Sequence, residues 1–117
     1  MLNKKPEVEY SEFLKLDIRV GKIISAELIP KSRNLIKTMI DIGESEPRQI
    51  LAGMANYFKP EELIGKKVII LANLKPRKMM GFESNGMILA ADVNNKPYLI
   101  TLERDVENEV PPGAIIR

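Results

Sequence analysis

Cysteine, histidine and tryptophan are all absent from this 117-residue chain, and aromatic residues make up only 5% of it. Without cysteine there is neither a disulfide nor a thiolate nucleophile, and a reducing, cytoplasmic setting is the expectation. Without histidine the commonest general base and the usual ligand of zinc and other transition metals are missing, so a metal would have to be a hard cation held by oxygens. No cofactor and no metal site are expected. The opening residues Met1-Leu2-Asn3-Lys4-Lys5-Pro6 lack the apolar stretch of a signal peptide, and no apolar run approaches the length of a membrane span. There is no glycine-rich phosphate loop and no obvious carboxylate pair at fixed helical spacing, which leaves an enzyme reading only a Ser-Lys arrangement such as Ser84 with Lys75 or Lys78. A non-catalytic binding module, with no membrane partner, is the expectation.

The chain has the size of one ordinary domain, able to bury roughly two thirds of its unfolded surface without a staple. Its net charge is only +2, but the charge is unevenly distributed. Lys31 to Lys37 contains Lys31, Arg33 and Lys37 with no acid, and Lys75 to Lys78 contains Lys75, Arg77 and Lys78 with no acid, whereas the stretch from Asp92 onward is acidic. Two acid-free clusters can create one attractive face for an anion at modest overall charge. Solvated turns are the alternative reading of each cluster taken singly.

Periodicity places the elements. Glu7 to Lys15 reads as a short leading helix and Asp17 to Leu28 as a long strand, in which Gly21 permits a bulge or sharp coil. In Leu35 to Ile42, Ile36, Thr38, Ile40 and Ile42 alternate with Lys37, Met39 and Asp41, the pattern of a half-buried strand. Arg48 to Gly53 is a third strand. Pro60 with Glu61 and Glu62 opens a helix that Gly65 closes after about one turn. Lys67 to Leu74 and Met87 to Asp92 are further strands, and Asn94-Asn95-Lys96-Pro97 turns the chain into Tyr98 to Leu102. Between two of these strands, Asn73 to Met87 reads as a loop in which three cations flank a proline and Gly81 and Gly86 bracket small groups, a composition suited to a phosphate-rich partner. Three strands, a short helix and then more strands is the order of an all-β, OB-fold Greek-key barrel with short helices and terminal extensions. An open antiparallel sandwich is the alternative.

Several ordered segments carry a resemblance. Lys15-Leu16-Asp17-Ile18-Arg19-Val20-Gly21-Lys22-Ile23, Arg48-Gln49-Ile50-Leu51-Ala52-Gly53, Pro60 to Lys66, Asn73-Leu74-Lys75-Pro76-Arg77 and Ser84-Asn85-Gly86-Met87 resemble the successive signatures of the tRNA-binding domain family. That family includes the C-terminal domain or detached beta subunit of methionyl-tRNA synthetase, free-standing structure-specific tRNA-binding proteins and CsaA-type export chaperones. The resemblance covers residues 13–117 and leaves 1–12 as an N-terminal extension of a single domain. It implies an OB barrel, usually a homodimer when it stands alone, that holds the outer corner of tRNA by shape.

The resemblance also implies an RNA-contacting role for Asn73, Lys75, Arg77, Ser84 and Met87, with Lys78 as an added cation. Family members often carry an Asp-Lys pair before leucine in the first basic turn; here the turn reads Arg33-Asn34-Leu35, and Lys31 and Arg33 restore the charge. Asn73 reads equally as a cap that shapes its loop, and Gly81 and Gly86 as backbone necessities. Tyr10, Tyr57 and Tyr98 with Phe13, Phe58 and Phe82 are too few and scattered to form a stacking platform of the kind that reads single strands, and core or interface roles suit most of them better. The implied function is capture of tRNA for methionyl-tRNA synthetase, acting in trans, with a CsaA-type chaperone of unfolded or precursor polypeptides as the alternative. Apolar groups at Phe13-Leu14 and Ala114-Ile115-Ile116 lie outside the clearest strands and suggest a homodimer contact through the leading helix and the tail, with closure of the chain's own barrel by the tail as the alternative.

Overall fold

Strand β1, Ile18–Leu28, has to satisfy three neighbours at once. In the computed structural model, which describes residues 2–117, its first half pairs antiparallel with β4 (Lys67–Leu71) in the register Ile18↔Leu71 to Lys22↔Lys67. Its second half pairs with β2 (Ile36–Asp41), from Lys22↔Asp41 to Leu28↔Ile36, with a bulge between Ile23 and Ser25. A third partner is the tail: Val20 N donates to Ala114 O (2.9 Å), Gly113 N to Val20 O (2.7 Å) and Ile116 N to Ile18 O (2.8 Å). A strand that changes partner midway must coil, and the bulge supplies the added twist.

The remaining elements follow from this strand. β3 (Arg48–Ala52) pairs with β2, and β7 (Met87–Ile88) with β4, giving a five-stranded antiparallel sheet in the order β3-β2-β1-β4-β7. Its two edges, β3 and β7, lie against each other, so the sheet curls into a nearly closed barrel. Helix α1 spans Tyr10–Phe13, and helix α2, Pro60–Leu63, links β3 to β4. The Glu62 carboxylate accepts from Lys59 N (2.9 Å) at the start of α2, and Leu63 plugs the barrel, fully buried. Gly65 N donates to Ile23 O (2.7 Å) and ties the end of α2 to β1. Two hairpins stand outside the main sheet: β5 (Arg77–Met79) with β6 (Phe82–Ser84), and β8 (Ala90–Val93) with β9 (Lys96–Leu99). A 3-10 turn at Val106–Asn108 precedes the tail. The fold is all-β and OB-like.

The barrel core is aliphatic: Val20, Ile23, Ile36, Ile40, Ile50, Leu63, Val68 and Ile70 are essentially without solvent contact. The alternation read in β2 is met, with Ile36, Thr38, Ile40 and Ile42 all inside. Thr38 enters the core because its hydroxyl donates to Ile50 O at 2.6 Å.

Several expected boundaries move. The leading helix contracts from Glu7–Lys15 to Tyr10–Phe13 and buries none of its residues, so tertiary packing adds little to a segment too short to be stable alone. The strand expected over Met87 to Asp92 is broken at Leu89, whose N–H donates to Ile69 O (2.9 Å) before the chain leaves for β8. The strand expected at Tyr98 to Leu102 is Lys96–Leu99. The segment read as a loop contains β5 and β6. Met79 pairs with Phe82, and the two residues between them, Met80 and Gly81, both have positive φ (53° and 82°), as a tight hairpin turn requires.

Gly21 marks where β1 is crowded by inward side chains of its two flanking strands. A Cβ there would lie 2.7 Å from Ile40 Cγ2 and 2.9 Å from Ile70 Cγ1, both on fully buried side chains. Gly21→Ala is expected to lower stability by about 1–3 kcal/mol through overpacking. Urea denaturation checks this, and an unchanged midpoint would show that the barrel wall yields freely.

Candidate nucleic-acid interface

At the end of β4, Ala72 N donates to Asp17 O (2.7 Å) and the strand pairing stops. The Asn73 side chain then clamps the leader. Its Oδ1 accepts from Asp17 N (2.8 Å) and its Nδ2 donates to Lys15 O (2.6 Å). Asn73 is therefore the cap that aims the following residues, and both ends of its amide are already engaged. Leu74, Lys75, Pro76, Arg77 and Lys78 follow in the open, the proline fixing φ between the cations.

The β5–β6 hairpin is tied down on β3. Ser84 Oγ accepts from Leu51 N (3.0 Å) and donates to Gly86 O (3.2 Å), Gln49 Nε2 donates to Glu83 O (2.9 Å), and Asn85 N donates to Gln49 O (2.9 Å). Arg48 is the strongest tie. Its Nη1 donates to Ala72 O (2.5 Å) and Asn85 O (3.3 Å), joining both ends of the motif, while Nε and Nη2 form a fork on the Glu44 carboxylate (2.7 and 2.9 Å). The hydrogen bond from Arg48 holds the Glu44 carboxyl below its ordinary pKa, and Glu44 in turn raises that of Arg48. Lys37 lies 5.0 Å from the centre of the Phe82 ring and pairs with Glu27 (2.6 Å), bracing the outer side of the hairpin.

Between this hairpin, β3 and β7 lies a cavity of about 300 Å³. Leu35, Leu51, Met54, Leu74, Met79 and Met87 give it apolar walls, and Lys75 and Arg77 stand at its border. Methionine suits such a wall because its flexible, polarizable side chain adapts to the flat face of a base or ribose. Ser84 lines the cavity too, but it is 4% exposed and its hydroxyl is spent on the protein. Its hydroxyl is therefore engaged within the protein, and the Ser-Lys reading lacks its Ser-Lys hydrogen bond, since the hydroxyl bonds Leu51 and Gly86 instead of a lysine.

Thus Lys75, Arg77, Ser84 and Met87 share one cavity, whereas Asn73, Lys78, Lys31 and Arg33 do not line it. Lys78 sits opposite Glu83 on the hairpin. Lys31, at φ 71°, and Arg33 are in a turn organised by Ser32 Oγ, which accepts from Leu35 N at 3.0 Å. Leu35 carries that turn to the edge of the cavity. Among the described residues Lys31, Arg33, Lys75, Arg77 and Lys78 enter no ion pair, so their charges are available to an external anion. Met54 and Leu35 were missed by sequence reasoning as cavity residues because they reach it from separate turns. Arg48 carried no sign that its charge would be consumed internally. No group of histidine, cysteine, aspartate and glutamate among the described residues is arranged to hold a metal, and no helix is long and apolar enough to cross a membrane.

A coiled five-stranded barrel with a plugging helix, and a cationic cavity under an outlying hairpin, define an OB-type binding module. The family model described as "Putative tRNA binding domain" matches residues 18–111, and the chain belongs to that family of tRNA-binding domains. The chain is 53% identical over 112 residues to a methionine–tRNA ligase of Methanosarcina acetivorans, and 46% identical over 107 residues to that of Thermotoga maritima. These matches take in 96% and 92% of this chain but only 15% and 16% of the ligases, so the chain spans about one sixth of the length of these relatives. Among solved structures, a MetRS-related protein of Pyrococcus horikoshii superposes with a TM-score of 0.85 at 41% identity, covering 97% of this chain and all of that one. The CsaA chaperone of Bacillus anthracis gives 0.83 at 28% identity, covering 96% of this chain and all of that one.

Ser84→Ala should leave the buried Leu51 N–H without its acceptor, at a cost of about 1–3 kcal/mol. Amide hydrogen exchange is the direct readout. Protection at Leu51 should fall about tenfold or more, and unchanged protection would remove Ser84 as the hairpin anchor.

Proposed function

We propose that this chain docks on the outer corner of folded tRNA and serves a methionyl-tRNA synthetase as its tRNA-capturing module. The observation that carries this reading is the cavity at the β5–β6 hairpin, where unpaired Lys75 and Arg77 border methionine-rich walls in a chain of the tRNA-binding domain family. Arginine can pair bidentately with a phosphate and lysine supplies a point charge, while Met87 offers a surface to a sugar or base. Lys78, Lys31 and Arg33 extend the cationic surface around the cavity. Phosphate contacts of this kind position a protein on RNA without reading sequence, and selection comes from the shape of the folded molecule. Asn73 and Ser84 act at one remove, by fixing the hairpin that carries the cations.

The second reading is a CsaA-type chaperone, favoured by the likeness in structure to CsaA and by the apolar walls of the same cavity. Salt separates the two. In the leading reading, Lys75→Ala/Arg77→Ala/Lys78→Ala weakens binding to many tRNAs alike and makes the log–log salt dependence shallower by about one for each phosphate that is no longer neutralised. Filter binding of folded tRNA between low and moderate salt measures it. Unchanged affinity and slope would take the hairpin out of the site, and polypeptide binding that persists at high salt would favour the chaperone.

We also propose a homodimer. Leu14 and Leu16 are exposed beside the start of β1, and Ile115 is half exposed on the tail that runs along that strand. Burying one such side chain is worth about 1.5–3 kcal/mol, and a two-fold pair would present two cationic hairpins to one RNA. Because the tail is hydrogen-bonded to β1 of its own chain, removing it would damage the barrel as well as any contact between chains. Leu14→Glu/Ile115→Glu tests the contact without that confusion. The variant should keep the circular dichroism of the parent and scatter light as a monomer at micromolar concentration. A parent that is itself monomeric there would sink the dimer.

A further inference from the structure

A second and larger concavity, about 640 Å³, opens between the segment after β3, the start of β4 and strand β9. Three of the six tyrosines and phenylalanines, scattered in the sequence, meet here: Tyr57, Phe58 and Tyr98. Its lining also includes Lys66, Lys67 and Lys96 and contains no acidic residue. Lys67 is engaged, since its Nζ bonds the Asp105 carboxylate and donates to Val110 O (2.7 Å). Among the described residues Lys66 and Lys96 make no ion pair, and they lie against rings instead, at 5.8 Å from the centre of Phe58 and 5.4 Å from that of Tyr98. Tyr57 and Tyr98 are 43% and 48% exposed, so flat aromatic surface is open to a ligand beside two available ammonium groups.

This groove shares no lining residue with the hairpin cavity, yet a small depression joins them. That depression is lined by Gly53, which also borders the hairpin cavity, and by Pro97, which also borders the groove. Asp92 lines it as well, but its carboxylate is turned into the β8–β9 turn, where Oδ1 accepts from Asn95 N at 2.8 Å.

We infer that the groove is a second RNA subsite, which takes one or two unpaired nucleotides with a base against Tyr57 or Tyr98 and phosphates on Lys66 and Lys96. Aromatic faces interleaved with cations are the means by which single strands are held without regard to sequence. The volume lies within the range of about 300–1,000 Å³ usual for small-ligand sites. An acidic peptide would satisfy the lysines but make no use of two open phenol rings, which is why the nucleotide is the better fit. Such a subsite is separate from the docking of a folded tRNA corner, because it uses other residues and takes unpaired bases.

The probe is a fluorescein-labelled oligoadenylate RNA hexamer, followed by anisotropy at low salt. The parent should bind it, and Tyr57→Ala/Tyr98→Ala should weaken binding about fivefold or more, the loss expected when a stacking ring is removed. Tyr57→Phe/Tyr98→Phe should restore most of the affinity, which a merely structural role for the hydroxyls would not. Lys66→Ala/Lys96→Ala should weaken binding and flatten its salt dependence, whereas Lys75→Ala/Arg77→Ala should change hexamer binding less than about twofold. An abasic hexamer of equal charge should bind worse than oligoadenylate, and a hexaglutamate peptide should not displace it. No hexamer binding by the parent, equal binding of the abasic probe, displacement by hexaglutamate, or indifference to the tyrosine pair would each overturn the inference. The hairpin reading stands or falls separately, on the loss of folded tRNA by Lys75→Ala/Arg77→Ala.

Discussion

The structure depends on one strand being shared. β1 gives its first half to β4, its second half to β2 and its remaining edge to the tail, and each partner then fixes something else. β2 carries β3, the floor on which the hairpin is anchored, and β4 leads directly into Asn73 and the cationic segment. Gly21 eases the sharing by leaving room for the Ile40 and Ile70 side chains beside β1. Aliphatic side chains fill the barrel so completely that a single added methyl group there would have to displace a neighbour.

From that frame follows a division of labour within the motif. Asn73, Arg48, Gln49 and Ser84 tie their polar side chains to neighbouring backbone, while Lys75, Arg77 and Lys78 are exposed and enter no ion pair among the described residues. Cations held on a pre-organised loop lose less freedom on binding than cations on a mobile one, so more of the electrostatic gain appears as affinity. Arg48 illustrates the contrast. It carries the same guanidinium as Arg77, yet its fork is closed on Glu44.

What could be read in the sequence was whatever depended on local pattern. The alternation of Ile36, Thr38, Ile40 and Ile42, the proline and acids opening α2 and the apolar run of β4 each map onto an observed element with its buried side in place. The β5–β6 hairpin was illegible because its turn is Met80-Gly81, without the asparagine that usually advertises two successive positive φ angles. Asn94-Asn95 gave that signal for β8–β9 and was read. In the candidate site, the acid-free cluster of Lys75, Arg77 and Lys78 stood out by type and spacing, whereas Met87 entered only through the resemblance. The inward commitment of Ser84 was not visible, since its partner Leu51 lies 33 residues away along the chain and meets it only when the barrel curls. The gathering of Tyr57, Phe58 and Tyr98 was equally hidden, because only the return of β9 beside the start of β4 brings them together.

The zipper between β1 and residues 113–116 joins positions as far apart as Arg19 and Gly113, whose guanidinium-to-carbonyl contact spans 94 residues of sequence. On a ribosome, β1 emerges before most of the domain and waits for the tail before this edge is covered. Until then it is a bare row of amides and carbonyls, the kind of template on which a neighbouring nascent chain can pair. Closure must also overcome the entropy of one very long loop, which places it among the slower steps of folding. Chains made on crowded polysomes are therefore most exposed to mispairing in the interval between the appearance of β4 and that of Ile116.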